Sequence, residues 1–210
     1  DLHNVHHQYV KENNLLEYRD ISNLMAEVAS LTNECLLSNY LINNKTSKNE
    51  KLSGISNILN VIISNLFGAV REGKIELDFY DYVNEGNTIT KDYMNDKVRK
   101  SLEKYYGNSV ELDEYSSNSW MRRSHYYMNY YLYNYAFCIS IATYVASSII
   151  EGNEEMLDKY KKYLKTGSNT WPKDAFKILD IDLEDEKVYE SAIKYFDKMI
   201  DKFVEIRDGE

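Results

Sequence analysis

The sequence is poor in the residues that interrupt regular structure. It has one proline and eight glycines in 210 residues. Because both residues break helices, their scarcity speaks against a turn-rich β fold and favours long helices. With 43% hydrophobic residues recurring at helical spacing, the chain is predicted to be all-α, with several helices. No linker composition marks a boundary, so we predict a single helical domain over residues 1–210.

Other features are also scarce. The two cysteines, Cys35 and Cys138, fall inside apolar helical patterns. This excludes a disulfide framework and predicts buried free thiols in a reducing compartment, the cytoplasm. The net charge is -9 with scattered lysines and arginines, which excludes a basic face for nucleic acid. No stretch is predicted to be long and apolar enough to span a membrane, since the richest apolar run, residues 136–150, is too short, so no membrane partner is expected.

Histidines are few but concentrated. Three of the four, His3, His6 and His7, fall in the first nine residues. Histidine is the commonest metal ligand, and spacings of three and four place imidazoles on one face of a helix. Two interpretations are open at this point. The cluster is either a solvated terminus or part of a metal site, depending on whether the chain supplies further ligands.

Glu27 is a candidate for such a ligand. It borders a predicted apolar helix stripe, and Glu34 shares its face. The stripe consists of Ile21, Leu24, Val28, Leu31 and Cys35. A carboxylate buried alone is very costly, so Glu27 requires a cation, a hydrogen-bond donor or a metal. The alternative to a metal is an ion pair with a lysine or arginine elsewhere in the chain.

Tyrosine is unusually abundant, with 20 residues, and is concentrated between positions 105 and 144. Behind His125, the residues Tyr126, Tyr130 and Tyr133 stand at i, i+4 and i+7, which predicts three phenols on one helix face. A phenol donates a hydrogen bond without carrying charge at neutral pH, and therefore suits a developing oxyanion. The alternative is an aromatic packing surface with hydroxyls at its edge.

Three segments together resemble a known family. Residues 26–34 read AEVASLTNE, and residues 124–136 read SHYYMNYYLYNYA. They are similar to the patterns A-E-x-A-S-x-x-N-E and P-H-F-Y-x-N-F-Y-V-Y-x-Y-A of the M3 zinc metallopeptidases, in particular oligoendopeptidase F. Gly167, Ser168 and Pro172 follow that family's later G-S-x-x-x-P segment. The resemblance covers essentially the whole chain and implies the C-terminal part of a helical catalytic domain.

The resemblance implies a zinc site. His3 falls at the second histidine of the family's HExxH motif, and His6 at a histidine that often follows it. His3 and Glu27 would then be ligands of Zn²⁺. The implied activity is the hydrolysis of internal bonds of short peptides, which would be the substrate.

The same resemblance implies roles for the tyrosine-rich segment. His125 and Tyr133 would stabilise the tetrahedral intermediate. Tyr126 and Tyr130 would help to hold the peptide.

The sequence also departs from the family pattern. The first histidine and the glutamate of HExxH would fall before Asp1, so we expect a fragment that needs the N-terminal part of the same protein and lacks peptidase activity alone. Ser124 stands in place of a proline. Cys138 stands where a glycine is usual, because residues 135–138 read YAFC instead of Y-A-T-G.

Two alternatives stay open. His3 and His7 themselves form an H-x-x-x-H pair, with Asn4 in the place of the catalytic glutamate. Because asparagine is not a general base, this pair would make a degenerate, inactive metal site. The second alternative is a non-catalytic helical interaction module, in which the apolar faces serve a partner and the tyrosines pack.

Overall fold

A computed structural model describes residues 2–44 and 47–209, without the side chains of Leu2 and His3. No β-strand occurs in these ranges, so the all-α prediction is confirmed. The helices are α1 (Leu2–Asn13), α2 (Asn23–Asn44), α3 (Lys48–Ile62), α4 (Ala69–Asn84), α5 (Lys91–Tyr106), α6 (Asn134–Ile150), α7 (Glu154–Tyr163), α8 (Pro172–Lys177) and α9 (Glu186–Asp208). Short 3₁₀ turns span Leu16–Tyr18, Ser116–Arg122 and Ser124–Tyr127, and a π-helical segment spans Ile63–Gly68.

The chain forms two compact units. The first unit comprises Asp1–Leu66 and Phe137–Glu210, and the second comprises Phe67–Ala136. A single domain over residues 1–210 remains a prediction.

The core of the first unit fixes the position of α2. Val28, Leu31 and Cys35 are buried, as their helical spacing predicts. Two buried tyrosines of α7 donate hydrogen bonds to backbone carbonyls of this helix: the Tyr160 hydroxyl to Ala29 at 3.1 Å and the Tyr163 hydroxyl to Met25 at 2.8 Å. Burial raises the pKa of Tyr163, so its hydroxyl stays a neutral donor. These bonds fix the rotation of α2 and therefore the direction of its polar residues.

Both cysteines are buried free thiols, which confirms their predicted state. The thiol of Cys138, on α6, donates to the carbonyl of Leu24 at 3.6 Å. Cys35, on α2, is fully buried in the core.

Gly167 permits a close backbone approach in the first unit. A Cβ at this position would lie 2.0 Å from the carbonyl oxygen of Tyr18, a separation that real contacts do not show. The next residue, Ser168, donates its N–H to the same oxygen at 3.1 Å. The Gly-Ser pair therefore joins the chain after α1 to the turn before α8, and a side chain at Gly167 would break this junction.

The second unit is built on α4 and α5. Its core consists of Ile75, Phe79, Val98 and Leu102. Thr90 caps α5 by accepting the N–H of Tyr93 at 3.2 Å. The start of α5 is thus set by a local signal in the sequence.

The prediction that no stretch is long and apolar enough to span a membrane is wrong by length and composition. The helical segment Lys48–Asn84 is 37 residues long and contains a window with mean hydropathy 1.4. This segment has no long unbroken apolar run, because its isoleucines alternate with small and polar residues. Core helices of soluble proteins meet the same criterion, so the absence of a membrane partner stays a prediction.

Candidate active-site residues

Helix α1 carries the histidine cluster, and His6 faces the core. The His6 side chain is 1% exposed, and its ring stacks on that of Tyr163 with centroids 6.1 Å apart. Val10, one turn later, is fully buried on the same face. His6 is therefore a core residue in the first half of α1. The side chain of His3 lies outside the described residues, and its assignment as a ligand stays a prediction.

Glu27 lies half-buried on α2. Its Oε2 accepts a hydrogen bond from the hydroxyl of Ser30 at 3.2 Å. Within residues 2–44 and 47–209, no lysine or arginine forms an ion pair with it. The ion-pair alternative therefore finds no partner in that part of the chain. Burial and the nearby charge of Glu27 together raise the pKa of the Cys138 thiol to about 12, so this thiol stays protonated beside the carboxylate.

The donor set for a metal is incomplete in the described residues. Among them, no group of three or more histidine, cysteine, aspartate and glutamate side chains is arranged to hold a metal ion. The half-buried Glu27 carboxylate, without a basic partner there, suits a cation. With His3 it would supply two ligands, whereas a catalytic zinc takes three protein ligands and a water. The described residues alone therefore do not complete a zinc site.

The tyrosine-rich segment does not form the predicted helix face. Ser124–Tyr127 is a 3₁₀ turn, and α6 begins only at Asn134. Between them, Asn129 and Tyr130 have positive φ angles of 24° and 55°, which an α-helix does not allow. Tyr126, Tyr130 and Tyr133 therefore do not line one helix face, and the i, i+4, i+7 argument is wrong here.

A buried carboxylate on α4 holds this turn. The N–H of Tyr130 donates to Oε1 of Glu76 at 2.7 Å, and Glu76 is 2% exposed. Burial raises the pKa of Glu76, while the Tyr130 N–H opposes that rise. This bond stabilises a backbone conformation that a tyrosine rarely adopts. The ring of Tyr130 also packs on Tyr80, with centroids 4.8 Å apart.

A second carboxylate, Glu72, holds Tyr126. The Tyr126 hydroxyl donates to Glu72, and the guanidinium of Arg71 pairs with the same side chain. Arg71 and Glu72 are both buried. Burial first, and then the charge of Glu72, raise the pKa of Tyr126. The hydroxyl of Tyr126 is thus already engaged by the protein.

His125 is held by two other tyrosines. Its ring stacks on Tyr131, with centroids 5.7 Å apart, and the hydroxyl of Tyr135 lies 3.5 Å from its Nε2. These contacts orient the imidazole from two sides. Tyr131 and Tyr135 belong to the same tyrosine-rich segment but lie outside the i, i+4, i+7 pattern that predicted a helix face.

Tyr133 is 42% exposed and lies against α4 at Gly73. A Cβ at Gly73 would approach the Cβ of Tyr133 to 3.3 Å and its backbone nitrogen to 3.6 Å. Gly73 looks like a weak point in a helix, since glycine costs about 1 kcal/mol relative to alanine there. Its function in the fold is to admit the backbone of Tyr133.

Sequence reasoning missed Arg71, Glu72 and Glu76. The signal was available, because Glu72, Ile75, Glu76 and Phe79 recur at steps of three and four. Both glutamates therefore border an apolar stripe, as Glu27 does. Glu27 belongs to the first unit, and the predicted residues His125, Tyr126, Tyr130 and Tyr133 belong to the second.

Comparison with known proteins gives one consistent family. The sequence profile of Peptidase family M3 matches residues 3–195. Oligopeptidase PepF of Bacillus subtilis (strain 168) is 30% identical over 204 residues, covering 97% of this chain and 30% of that protein. The chromosomal oligoendopeptidase F of Lactococcus lactis subsp. cremoris is 28% identical, covering 95% of this chain and 33% of that protein.

A solved structure agrees. The crystal structure of oligoendopeptidase-F from Enterococcus faecium superposes with a TM-score of 0.86 at 26% identity, covering 100% of this chain and 39% of that one. The chain therefore spans about a third of the length of the curated relatives that it matches.

Proposed function

Because the chain belongs to peptidase family M3, we propose that the full-length protein is a zinc-dependent endopeptidase that hydrolyses internal bonds of short peptides in the cytoplasm. The observation that carries the proposal is Glu27, a half-buried carboxylate at the family's ligand position without a basic partner in the described residues. The names of the relatives, an oligopeptidase and oligoendopeptidases, support a peptide substrate. The whole protein is the subject of the proposal, since this chain covers about a third of those relatives.

His3 and Glu27 would hold the metal from α1 and α2. Bound there, zinc would polarise the scissile carbonyl and lower the pKa of its bound water. Ser30 steadies the Glu27 carboxylate by donating to Oε2, which is the kind of support that metal ligands commonly receive. The glutamate that takes the proton from water is expected from the remainder of the protein, as part of the HExxH motif.

His125 and Tyr133 would donate hydrogen bonds to the oxyanion. Tyr131 and Tyr135 keep the imidazole of His125 in place, and Gly73 admits Tyr133 beside α4. Such preorganised donors are effective because they need no rearrangement as charge develops.

Tyr126 and Tyr130 would contribute by position more than by their hydroxyl groups. Tyr126 is tied to Glu72, and the backbone of Tyr130 is tied to Glu76. Both bonds fix the turn that presents the peptide-binding surface after His125.

The test is Tyr133→Phe in the full-length protein, with hydrolysis of a quenched peptide as the readout. Loss of one oxyanion donor is expected to lower kcat about 100- to 1,000-fold, with little change in KM. Tyr115→Phe, which alters an exposed tyrosine of the same unit, is the matched control. Near-normal turnover by Tyr133→Phe would remove that role, and absence of any peptide hydrolysis by the unaltered protein would remove the proposed function.

A further inference from the structure

A cavity of about 370 Å³ lies within the second unit. Aromatic rings form much of its wall, those of Phe79, Tyr80, Trp120 and Tyr126. Its volume is within the range of small-ligand pockets. Glu76 is the carboxylate in the wall, and no lysine, arginine or histidine among the described residues lines it.

The polar groups of these aromatic residues are engaged outside the cavity. The indole N–H of Trp120 donates to Asn95 at 2.8 Å, and the hydroxyl of Tyr80 donates to Asn129 at 2.9 Å. The hydroxyl of Tyr126 donates to Glu72. The three residues therefore offer ring surfaces to whatever occupies the cavity.

Glu76 has hydrogen-bonding capacity left. Its Oε1 accepts the Tyr130 N–H, but its buried Oε2 has no hydrogen-bond partner among the described residues. Without a donor on Oε2, the charge of the carboxylate is only partly compensated, so a cation in the cavity would be attracted to it. The charge of Glu76 is also felt by Tyr80, since burial and then this charge raise the pKa of the Tyr80 hydroxyl.

We infer that this cavity is a subsite for the side chain of a lysine in a peptide. The methylene stem would pack against the rings, and the ammonium would lie near aromatic faces that attract a cation, while Glu76 in the same wall supplies negative charge. A guanidinium carries five donors and an ammonium three, and this largely aromatic and aliphatic wall offers few acceptors, which favours lysine over arginine. The inference rests on the proposed function for its peptide, and it assigns that function a side-chain preference.

The chain itself connects the cavity to the proposed oxyanion donors. Tyr126 and Tyr127, two wall residues, directly follow His125 in the sequence. A peptide that places its carbonyl at His125 would therefore run beside the residues that form this wall.

The test measures binding separately from cleavage. Isothermal titration of the full-length protein compares Nα-acetyl-lysine methylamide with Nα-acetyl-norleucine methylamide, which has the same stem but no ammonium. The lysine compound is expected to bind at least about tenfold more tightly, because the aromatic faces and the carboxylate of this wall both attract its ammonium. Equal or tighter binding of the norleucine compound would overturn the inference.

Variants locate the effect. Glu76→Gln keeps an acceptor for the Tyr130 N–H and is expected to reduce the ratio of the two affinities to about one. Tyr127→Ala, at an 86% exposed wall residue, is expected to weaken lysine binding several-fold, whereas Tyr115→Ala, at a 67% exposed residue outside the wall, leaves it unchanged. A ratio that persists in Glu76→Gln would contradict the assignment.

Two further arms separate the possible outcomes. Butylammonium, a free amine with the same stem, is expected to bind more weakly than the capped lysine; equal affinity would overturn the assignment to a peptide. Hydrolysis of a quenched peptide is measured on the same protein. Hydrolysis without lysine preference overturns the subsite alone, and lysine binding without hydrolysis overturns the proposed function alone.

Discussion

Three glutamates border apolar helix stripes, and the two units of the molecule treat them differently. In the second unit, Glu72 is held by Tyr126 and Arg71, and Glu76 by the N–H of Tyr130. In the first unit, Glu27 accepts a hydrogen bond from Ser30, and no lysine or arginine in the described ranges pairs with it. The second unit thus satisfies most of its buried charge internally, whereas the first leaves a carboxylate available.

This difference separates a positioning role from a ligand role. Glu72 and Glu76 hold the tyrosine-rich segment in a conformation that the segment would not adopt alone. Among the described residues, the Glu27 carboxylate is bonded only by its near neighbour Ser30, and its surroundings suit an added cation. The same sequence pattern, a glutamate beside an apolar stripe, therefore has two functions.

The largest effect is expected from Arg71→Met, which breaks the internal pairing of the second unit. Glu72 would keep its bond from Tyr126 but lose its buried cation, and the free energy of unfolding should fall by about 3 kcal/mol. Urea unfolding of the full-length protein measures this. Adding Glu72→Gln to Arg71→Met should restore much of the loss, because the buried charge is then gone. A loss below about 1 kcal/mol in the single variant would mean that Glu72 is satisfied by other groups.

Gly73→Ala tests whether the second unit positions Tyr133. The added methyl would press on the Cβ and backbone of Tyr133. We expect turnover to fall about tenfold, since small misplacements of catalytic groups are costly. The matched control is Gly54→Ala, whose Cβ would meet a carbon of Ile42, also at 3.3 Å, but in the first unit. Similar turnover in both variants would contradict the role of this contact.

The smallest effect concerns pH. Burial raises the pKa of Glu76 in the folded state, so the folded protein binds this proton more tightly than the unfolded chain. The stability contributed by protonated Glu76 is complete below its ordinary pKa and is lost as pH rises through the raised value. Relative to Glu76→Gln, the unaltered protein should therefore lose stability from about pH 4 towards neutrality. Denaturant midpoints at several pH values measure this, and a difference of the opposite slope would contradict it.

The parts of the fold that follow local rules were accessible from the sequence. Helical spacing predicted the all-α class and the burial of Val28, Leu31 and Cys35. Apolar residues three or four positions apart share one helix face, and that face is the one that packs into the core. Both thiols were predicted as buried and free for the same reason.

The conformation of the tyrosine-rich segment was not accessible in this way. It depends on a hydrogen bond between Tyr130 and Glu76, which are 54 residues apart in the chain. Periodicity within the segment predicted a helix face, but a distant carboxylate stabilises a turn with positive φ instead. Gly73 is a second example, because helix propensity marks it as a weak point in α4, whereas the structure shows that it admits the backbone of Tyr133.

The central claim is that Glu27 is a metal ligand while the carboxylates of the second unit are not. The most direct measurement is the zinc content and zinc affinity of the full-length protein with Glu27→Gln, compared with Glu72→Gln. We predict that Glu27→Gln weakens zinc binding more than about 100-fold, beyond the effect of altering residues around a ligand, and that Glu72→Gln retains zinc at the unaltered stoichiometry. Unchanged zinc content and affinity in Glu27→Gln would contradict the account.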